Sequence, residues 1–391
     1  WLFWMINIHT SLIWPGCAQG NYIIKAKGFI LAILSWGNSS GPLTDWDQFA
    51  YVPIDPNGIG TFFFSGKRSI PEDATHVWAR CYSTDFSSYE DVSVRIPEQY
   101  KCEKSFKRDE CRFSVLTDLH LSSKPGKVIQ ALKAAQSNII FLTGDSTNDG
   151  RESQFSSFKD CIEKTVPEKI LLPVTGNHDI PHSSQKNSDE GVSSYKRFER
   201  DLLRKTLRSG YSMEYDAEGQ AYAVQISDID VTGVQCVTTG RKFLFPGGRQ
   251  IDWIEKHLAE THASWHIILC HAPLLAHNPN RSEGAPYLDR DRRLQEIIDN
   301  TGKIIFLSGH THASPNRLRG NCEYDEKHKN IYLDCASVMP TDISGESGIM
   351  AKGWNDGCIT ELAVNDNMVE ICMKSLESGI RFSRGYYRFC I

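Results

Sequence analysis

The sequence predicts a layered α/β domain preceded by a small all-β unit, and three observations carry that expectation. From Arg112 onward, short apolar runs alternate with stretches of helical periodicity. Before residue 105 there are only brief β-type runs separated by turn signals. Between the two lies a polar, densely charged stretch, Pro97 to Glu110, which reads as a linker. The division expected is therefore 1–105 and 106–391.

In the first unit the β-type runs are Tyr22 to Ile24, Thr61 to Phe64 and His76 to Arg80. Gly41-Pro42, Pro56-Asn57-Gly58 and Ser65-Gly66 punctuate them, the pattern of a small antiparallel sandwich of immunoglobulin or fibronectin type. In the second unit the strand-like runs are Phe113 to Leu116, Ile139 to Leu142, Ile170 to Val174, His266 to Cys270 and Ile304 to Leu307. Val128, Ala131, Leu132 and Ala135 keep helical spacing, as do Phe155, Phe158 and Ile162, and later Ile251, Ile254 and Leu258. Such alternation buries strands between helices. Ile331 to Leu333, Ile359 to Val364 and Met368 to Met373 are expected to extend the sheets.

Composition excludes several classes. The 391 residues are 40% apolar and 23% charged, as in an ordinary globular protein. A formal charge of -5 argues against a strongly basic surface for gripping nucleic acid. The 12 cysteines show no CxxC pairing and read as buried free thiols. Residues 1–13 are apolar but broken by Asn7, His9, Thr10 and Ser11, and they lack a basic start. Neither a membrane span nor a signal peptide is expected there. That favours the cytoplasm, a secreted form with its leader removed being the other option.

Five motifs follow the strand-like runs in order: Asp118-Leu119-His120, Gly144-Asp145, Gly176-Asn177-His178-Asp179, a lone His271, and Gly309-His310-Thr311-His312. Each alone is an ordinary turn, cap or packed histidine. Together they bring carboxylate, amide and imidazole donors to the carboxyl ends of five strands, where functional groups gather in α/β sheets. The glycines at 144, 176 and 309 are read as allowing sharp backbone turns.

The ordered set resembles the calcineurin-like metallophosphoesterase superfamily, with D-x-H, GD, GNH-D/E, a single H and GH-x-H spread over roughly residues 112–320. The resemblance implies two mixed sheets packed face to face and flanked by helices. It also implies two divalent cations, manganese, iron or zinc. Asp118, His120, Asp145 and His312 would hold one, and Asp145, shared, with Asn177, His271 and His310 the other. A water between such cations becomes hydroxide near neutral pH and attacks phosphorus. His178, which the family does not use as a ligand, is expected to assist the leaving group, oriented by Asp179.

Substrate is less legible. Purple acid phosphatases, which also carry a leading β-sandwich, replace the first motif's histidine and place a tyrosine after Gly-Asp; here His120 is present and the matching position is Asn148. Protein phosphatases continue into Asp-Arg-Gly, which this chain lacks. The segment Leu142 to Gly150 looks most like the bacterial cyclic-nucleotide phosphodiesterase branch. A small phosphomonoester or phosphodiester is the expected partner. Asn148, His277, Arg281 and Arg290 are candidate substrate contacts, and loops 181–196 and 276–293 are expected to shape the pocket. The alternative is a binding or scaffold protein whose first unit uses Trp36, Trp46 and Trp78 to recognise a partner or carbohydrate.

Overall fold

The computed structural model describes residues 7–13, 19–38, 41–42, 48–64, 75–95, 111–122, 125–180, 185–216, 221–235, 237–238, 243–244, 249–274, 277, 292–312, 315, 321–339, 357–379 and 381–391. The first unit contains β1 (Asn7–Ile13), β2 (Gln19–Lys25), β3 (Phe29–Asn38), β4 (Gly41–Pro42), β5 (Gln48–Pro53), β6 (Ile59–Phe64), β7 (His76–Ser83) and β8 (Tyr89–Arg95). One antiparallel sheet has the order β1-β2-β6, and a second runs β4-β3-β7-β8 with β5 also paired to β3. Alternation along β7 buries Val77, Ala79 and Cys81 and leaves Trp78 and Arg80 half-buried. The buried face packs with Ala32, Leu34 and Trp36 of β3 and with Ile24 of β2, joining both sheets in one core. Trp36 is thus core rather than a recognition surface. Trp46 and the charged stretch 97–110 lie outside the described residues.

The second unit opens with β9 (Cys111–Leu116), α1 (Gly126–Ala134), β10 (Ile139–Leu142), α2 (Glu152–Thr165), β11 (Ile170–Pro173) and α3 (Gln185–Arg208). Then come β12 (Ser212–Tyr215), β13 (Tyr222–Ile226), β14 (Ile229–Gly233), β15 (Val237–Thr238), β16 (Phe243–Leu244), α4 (Arg249–Glu260), β17 (Trp265–Leu269) and α5 (Arg292–Asn300). The chain ends with β18 (Ile304–Ser308), β19 (Cys322–Asp325), β20 (Asn330–Asp334), β21 (Cys358–Asn365), β22 (Met368–Ser375) and β23 (Arg381–Cys390).

Two mixed sheets result, ordered β11-β10-β9-β21-β22-β23 and β12-β13-β14-β17-β18-β20-β19. Their centres, β11-β10-β9 and β14-β17-β18-β20, are parallel, and β10, β11 and β18 among them read as continuous apolar runs because both faces are covered. Phe113, Val115 and Phe141 of the first sheet meet Val224, Ile267 and Ile305 of the second in a shared inner core. The outer face of the first sheet packs on Val128, Phe155, Phe158 and Phe198 of α1 to α3. The outer face of the second packs on Ile251, Ile254, Leu294 and Ile298 of α4 and α5. This is the expected pair of sheets flanked by helices.

The tail strands extend the sheets as expected, whereas β12 to β14 and β23 lie outside the predicted elements. Residues 181–196 differ from expectation: helix α3 begins at Gln185 and runs 24 residues. The reason lies in its second half, where Tyr195, Phe198, Leu202, Leu203 and Thr206 recur at three- and four-residue intervals and are all buried. Cys81, Cys161, Cys270, Cys322, Cys335 and Cys358 are buried free thiols.

Candidate metal centre

The first sheet delivers Asp118 and His120 just past β9, Asp145 past β10, and Asn177 and His178 past β11. The second delivers His271 past β17, and His310 and His312 past β18. Because β9, β10 and β11 run parallel, as do β17 and β18, these residues share one edge and the two sheets contribute to one cluster. Asp118, His120, Asp145 and His312 form one group of ligand atoms within 4.8 Å of one another, and Asp145, His271 and His310 form a second. Asp145 belongs to both. Cys270, beside His271, packs on the far side with the helices.

The backbone is held unusually to achieve this. Asp118, His120, Asp145, His310 and His312 have φ between 44° and 70°, five of the nine non-glycine residues in the left-handed region among the described residues. Such conformations cost about 1–2 kcal/mol each and persist only where surroundings over-determine them. Of the three motif glycines, only Gly144 has positive φ, at 91°. Gly176 and Gly309 are required for a different reason than the expected turns: a Cβ at 176 would overlap the Asp145 backbone nitrogen and Oδ1, and one at 309 would overlap the Thr117 hydroxyl. Close approach, rather than turning, excludes side chains there.

Hydrogen bonds aim the rings. His271 Nδ1 donates to the Thr143 carbonyl at 2.8 Å, and His312 Nδ1 to the Met339 carbonyl at 2.8 Å. A carbonyl can only accept, so both rings carry Nδ1–H and present Nε2 to the cluster. His312 Nε2 lies 3.0 Å from His120 Nε2 and 3.5 Å from Asp118 Oδ1. His271 Nε2 lies 3.1 Å from Asn177 Oδ1 and 3.3 Å from Asp145 Oδ2, while His310 Nδ1 is 2.9 Å from Asn177 Oδ1. Oδ2 of both Asp118 and Asp145 is buried with no hydrogen-bond partner among the described residues. Two carboxylate oxygens in that state, ringed by nitrogen and amide-oxygen donors, are what cations would satisfy.

Electrostatics follow. Burial pushes the His120 imidazole down to about 4. Burial also works against a charged His271, yet the adjacent Asp145 carboxylate raises it to about 10. Asp145 is itself held below the usual carboxylate range: His271 and His120 outweigh the effect of its burial.

His178 stands beside the cluster, with its ring edge-on to His120 at 4.6 Å. Its Nδ1 donates to the Asn148 carbonyl at 2.9 Å, and its backbone N–H donates to Asp145 Oδ1 at 2.7 Å. The expected orienting contact from Asp179 is replaced by this carbonyl. Asp179 faces inward, accepting from the backbone N–H of Ser146 (3.2 Å), Thr147 (2.9 Å) and Gly176 (3.0 Å) and from the Thr147 hydroxyl (3.0 Å). It ties the second motif to the third. Burial, reinforced by Asp145, pushes its carboxyl up to about 6.

The substrate-contact candidates separate. Asn148 is at the cluster through its carbonyl, and its side-chain amide donates to Asp149 at 3.2 Å. His277 instead stacks flat on Tyr332 at 3.7 Å, with Nε2 2.9 Å from Asp299 and Nδ1 3.5 Å from Glu323. Tyr332 packs with α4 and α5 on the outer face, so these contacts hold His277 against that layer instead of the cluster. Arg281 and Arg290 lie outside the described residues. A buried residue the motifs do not mark, Gln235, reaches Thr175 just before the third motif. Its only sequence signal is a polar residue closing an alternating, strand-like stretch, Ile229 to Val234.

An α/β fold with convergent carboxylate, amide and imidazole donors at one sheet edge defines a candidate metal-binding site. The chain belongs to the calcineurin-like phosphoesterase family, whose model matches residues 111–314, just over half of its length. Comparison with curated protein sequences finds no match. Among solved structures the chain is similar to PhoD, at 8% identity and TM-score 0.40, covering 98% of this chain and 88% of that one. It is similar to GAP50 of Plasmodium, the anchor in the inner membrane complex, at 13% identity and TM-score 0.45, covering 72% and 89%. A predicted phosphoesterase from Streptococcus pneumoniae TIGR4 matches at 10% identity and TM-score 0.33, covering 73% and 100%. No helix among the described residues is long and apolar enough to cross a membrane.

Proposed function

We propose that this chain hydrolyses a small phosphomonoester or phosphodiester through two divalent cations. Asp118, His120, Asp145 and His312 would hold one, and Asp145, Asn177, His271 and His310 the other. The observation that supports this best is Asp145 Oδ2, which lies 3.6 Å from His120 Nε2 and 3.3 Å from His271 Nε2, rings of the two separate groups. A shared carboxylate is what two neighbouring cations require to offset their repulsion. Oxygen and imidazole donors without thiolate suit manganese, iron or zinc. Bound there, the pair supplies an acidified water as nucleophile and positive charge for the phosphoryl oxygens.

The chain's own residues do the remainder. Asn177 and Asp145 are held in register by the His178 N–H, which bonds Asp145 while its ring lies outside the ligand groups. With Nδ1–H committed to Asn148, Nε2 is the atom through which His178 would give a proton to the leaving oxygen. Ligand nitrogens coordinate in their neutral form, so His271 would hold a cation only after giving up the proton that Asp145 favours on its ring.

Turnover of aryl phosphate mono- and diesters with added Mn²⁺ tests the reading. His178→Ala is expected to keep full metal content and lose roughly 10²–10⁴-fold in kcat. Metal loss in that variant overturns the acid role, and no turnover by the wild type at full occupancy overturns the hydrolase.

A further inference from the structure

The candidate ligands come from two different sheets, and something other than the cations must hold those sheet ends in register. Asp118, His120, Asp145 and Asn177 follow strands of the first sheet, whereas His271, His310 and His312 follow strands of the second. We infer that Gln235 is a positioning residue that locks the Thr175–Asp179 loop of the first sheet to the end of β14 in the second. The inference rests on the proposed role of that loop in the metal centre.

Gln235 is 1% exposed and every polar atom it owns is committed. Its Oε1 accepts from the Thr175 backbone N–H at 2.8 Å and from the Thr175 hydroxyl. Its Nε2 donates to Glu199 on α3 at 2.5 Å. Its backbone N–H donates to Gln250 Oε1 at 2.9 Å, and its carbonyl accepts from Gln250 Nε2 at 3.0 Å, fixing it to the start of α4. Because the Thr175 N–H can only donate, the carboxamide oxygen must face the loop and the amide nitrogen must face Glu199. Lys196 completes the line by donating to Glu199 Oε2 at 2.9 Å.

The rest of the loop's backbone shows why this contact matters. The N–H groups of Val174, Gly176 and His178 bond to Leu142, Asp179 and Asp145, all within the first sheet and its own loops. Tyr222 also crosses between the sheets, to the Pro173 carbonyl at 3.0 Å, but further from the ligands. Thr175 precedes Asn177 by two residues, and Asn177 Oδ1 meets His271 and His310 of the second sheet at 3.1 and 2.9 Å. Releasing Thr175 therefore loosens the side of the centre where the two sheets' donors meet. An apolar residue of similar size at 235 would fill the space but leave the loop untethered.

The test compares Gln235→Leu, Gln235→Glu, and Gln235→Glu combined with Glu199→Gln, in the full chain. The combination exchanges the two partners, so a carboxylate oxygen still accepts from Thr175 and an amide still donates across the pair. Gln235→Leu is expected to weaken Mn²⁺ binding by calorimetry about tenfold or more and lower kcat on an aryl phosphate about 10–100-fold, with KM nearly unchanged. Gln235→Glu alone, placing two carboxyl groups together, shows the same loss, and the exchange restores both quantities to within about threefold. Wild-type behaviour of Gln235→Leu, or a loss the exchange does not restore, overturns the inference and assigns Gln235 to packing alone. Should Gln235→Leu not fold, Gln235→Glu against the exchange makes the same comparison. If the wild type turns over no ester, Mn²⁺ affinity still decides: a loss restored by the exchange supports positioning while the hydrolase reading fails.

Discussion

Asp179→Asn separates two roles for a carboxylate that sits directly after His178. In the structure its two oxygens accept four hydrogen bonds, Oδ1 from the N–H and hydroxyl of Thr147, Oδ2 from the N–H groups of Ser146 and Gly176. Asparagine is nearly isosteric but turns one oxygen into a donor. The better orientation puts that amide at the Oδ1 position, where the Thr147 hydroxyl can rotate to accept. The Thr147 N–H is then left without an acceptor in a buried site, which costs about 1–3 kcal/mol. The opposite orientation orphans two N–H groups and roughly doubles the penalty. Urea unfolding should thus show a midpoint lowered by at least about 1 kcal/mol of stability at unchanged m-value. Meanwhile the Gly176 contact and the His178–Asn148 bond survive, so kcat under folding conditions should stay within about threefold. Unchanged stability with a hundredfold or greater loss of kcat would refute this and return Asp179 to the role of orienting His178.

Two further outcomes follow from the geometry. Gly176→Ala places a Cβ on the Asp145 backbone and Oδ1, and Asp145 is already in a strained left-handed conformation. It should lose Mn²⁺ binding and about 1–3 kcal/mol of stability; retained metal content would show that the loop yields. Glu199 is raised by burial from 4.5 to about 7, Lys196 opposing. The folded state thus holds a proton that the unfolded chain releases near pH 4.5, so this contribution is complete below that pH and is lost as pH rises through 7. It amounts to about 3 kcal/mol. Glu199→Gln should flatten stability between pH 4.5 and 7, and an unchanged slope would place the titration elsewhere.

The sequence makes the ligand set easy to see because each member lies beside a glycine or at the end of an apolar run. Strand ends are local features, and five of them in order are hard to misread. Roles that depend on distant partners are not written locally. Asp179 reads as the neighbour of His178, yet three of its four donated bonds come from Ser146 and Thr147 in the Asp145 loop, some 30 residues earlier. Gln235 meets Thr175 across 60 residues and two sheets. His277 follows the His271 loop but stacks on Tyr332, which a strand far downstream supplies. The polar start of α3 hides a helix because its apolar periodicity begins only at Tyr195.

The central claim is one centre of two cations joined by Asp145, and metal stoichiometry addresses it most directly. Chelator-treated protein titrated with Mn²⁺ should take up two ions per chain, and Asp145→Ala should bind neither tightly. A single ion per chain at saturation, or an Asp145→Ala variant that still binds two, would contradict it.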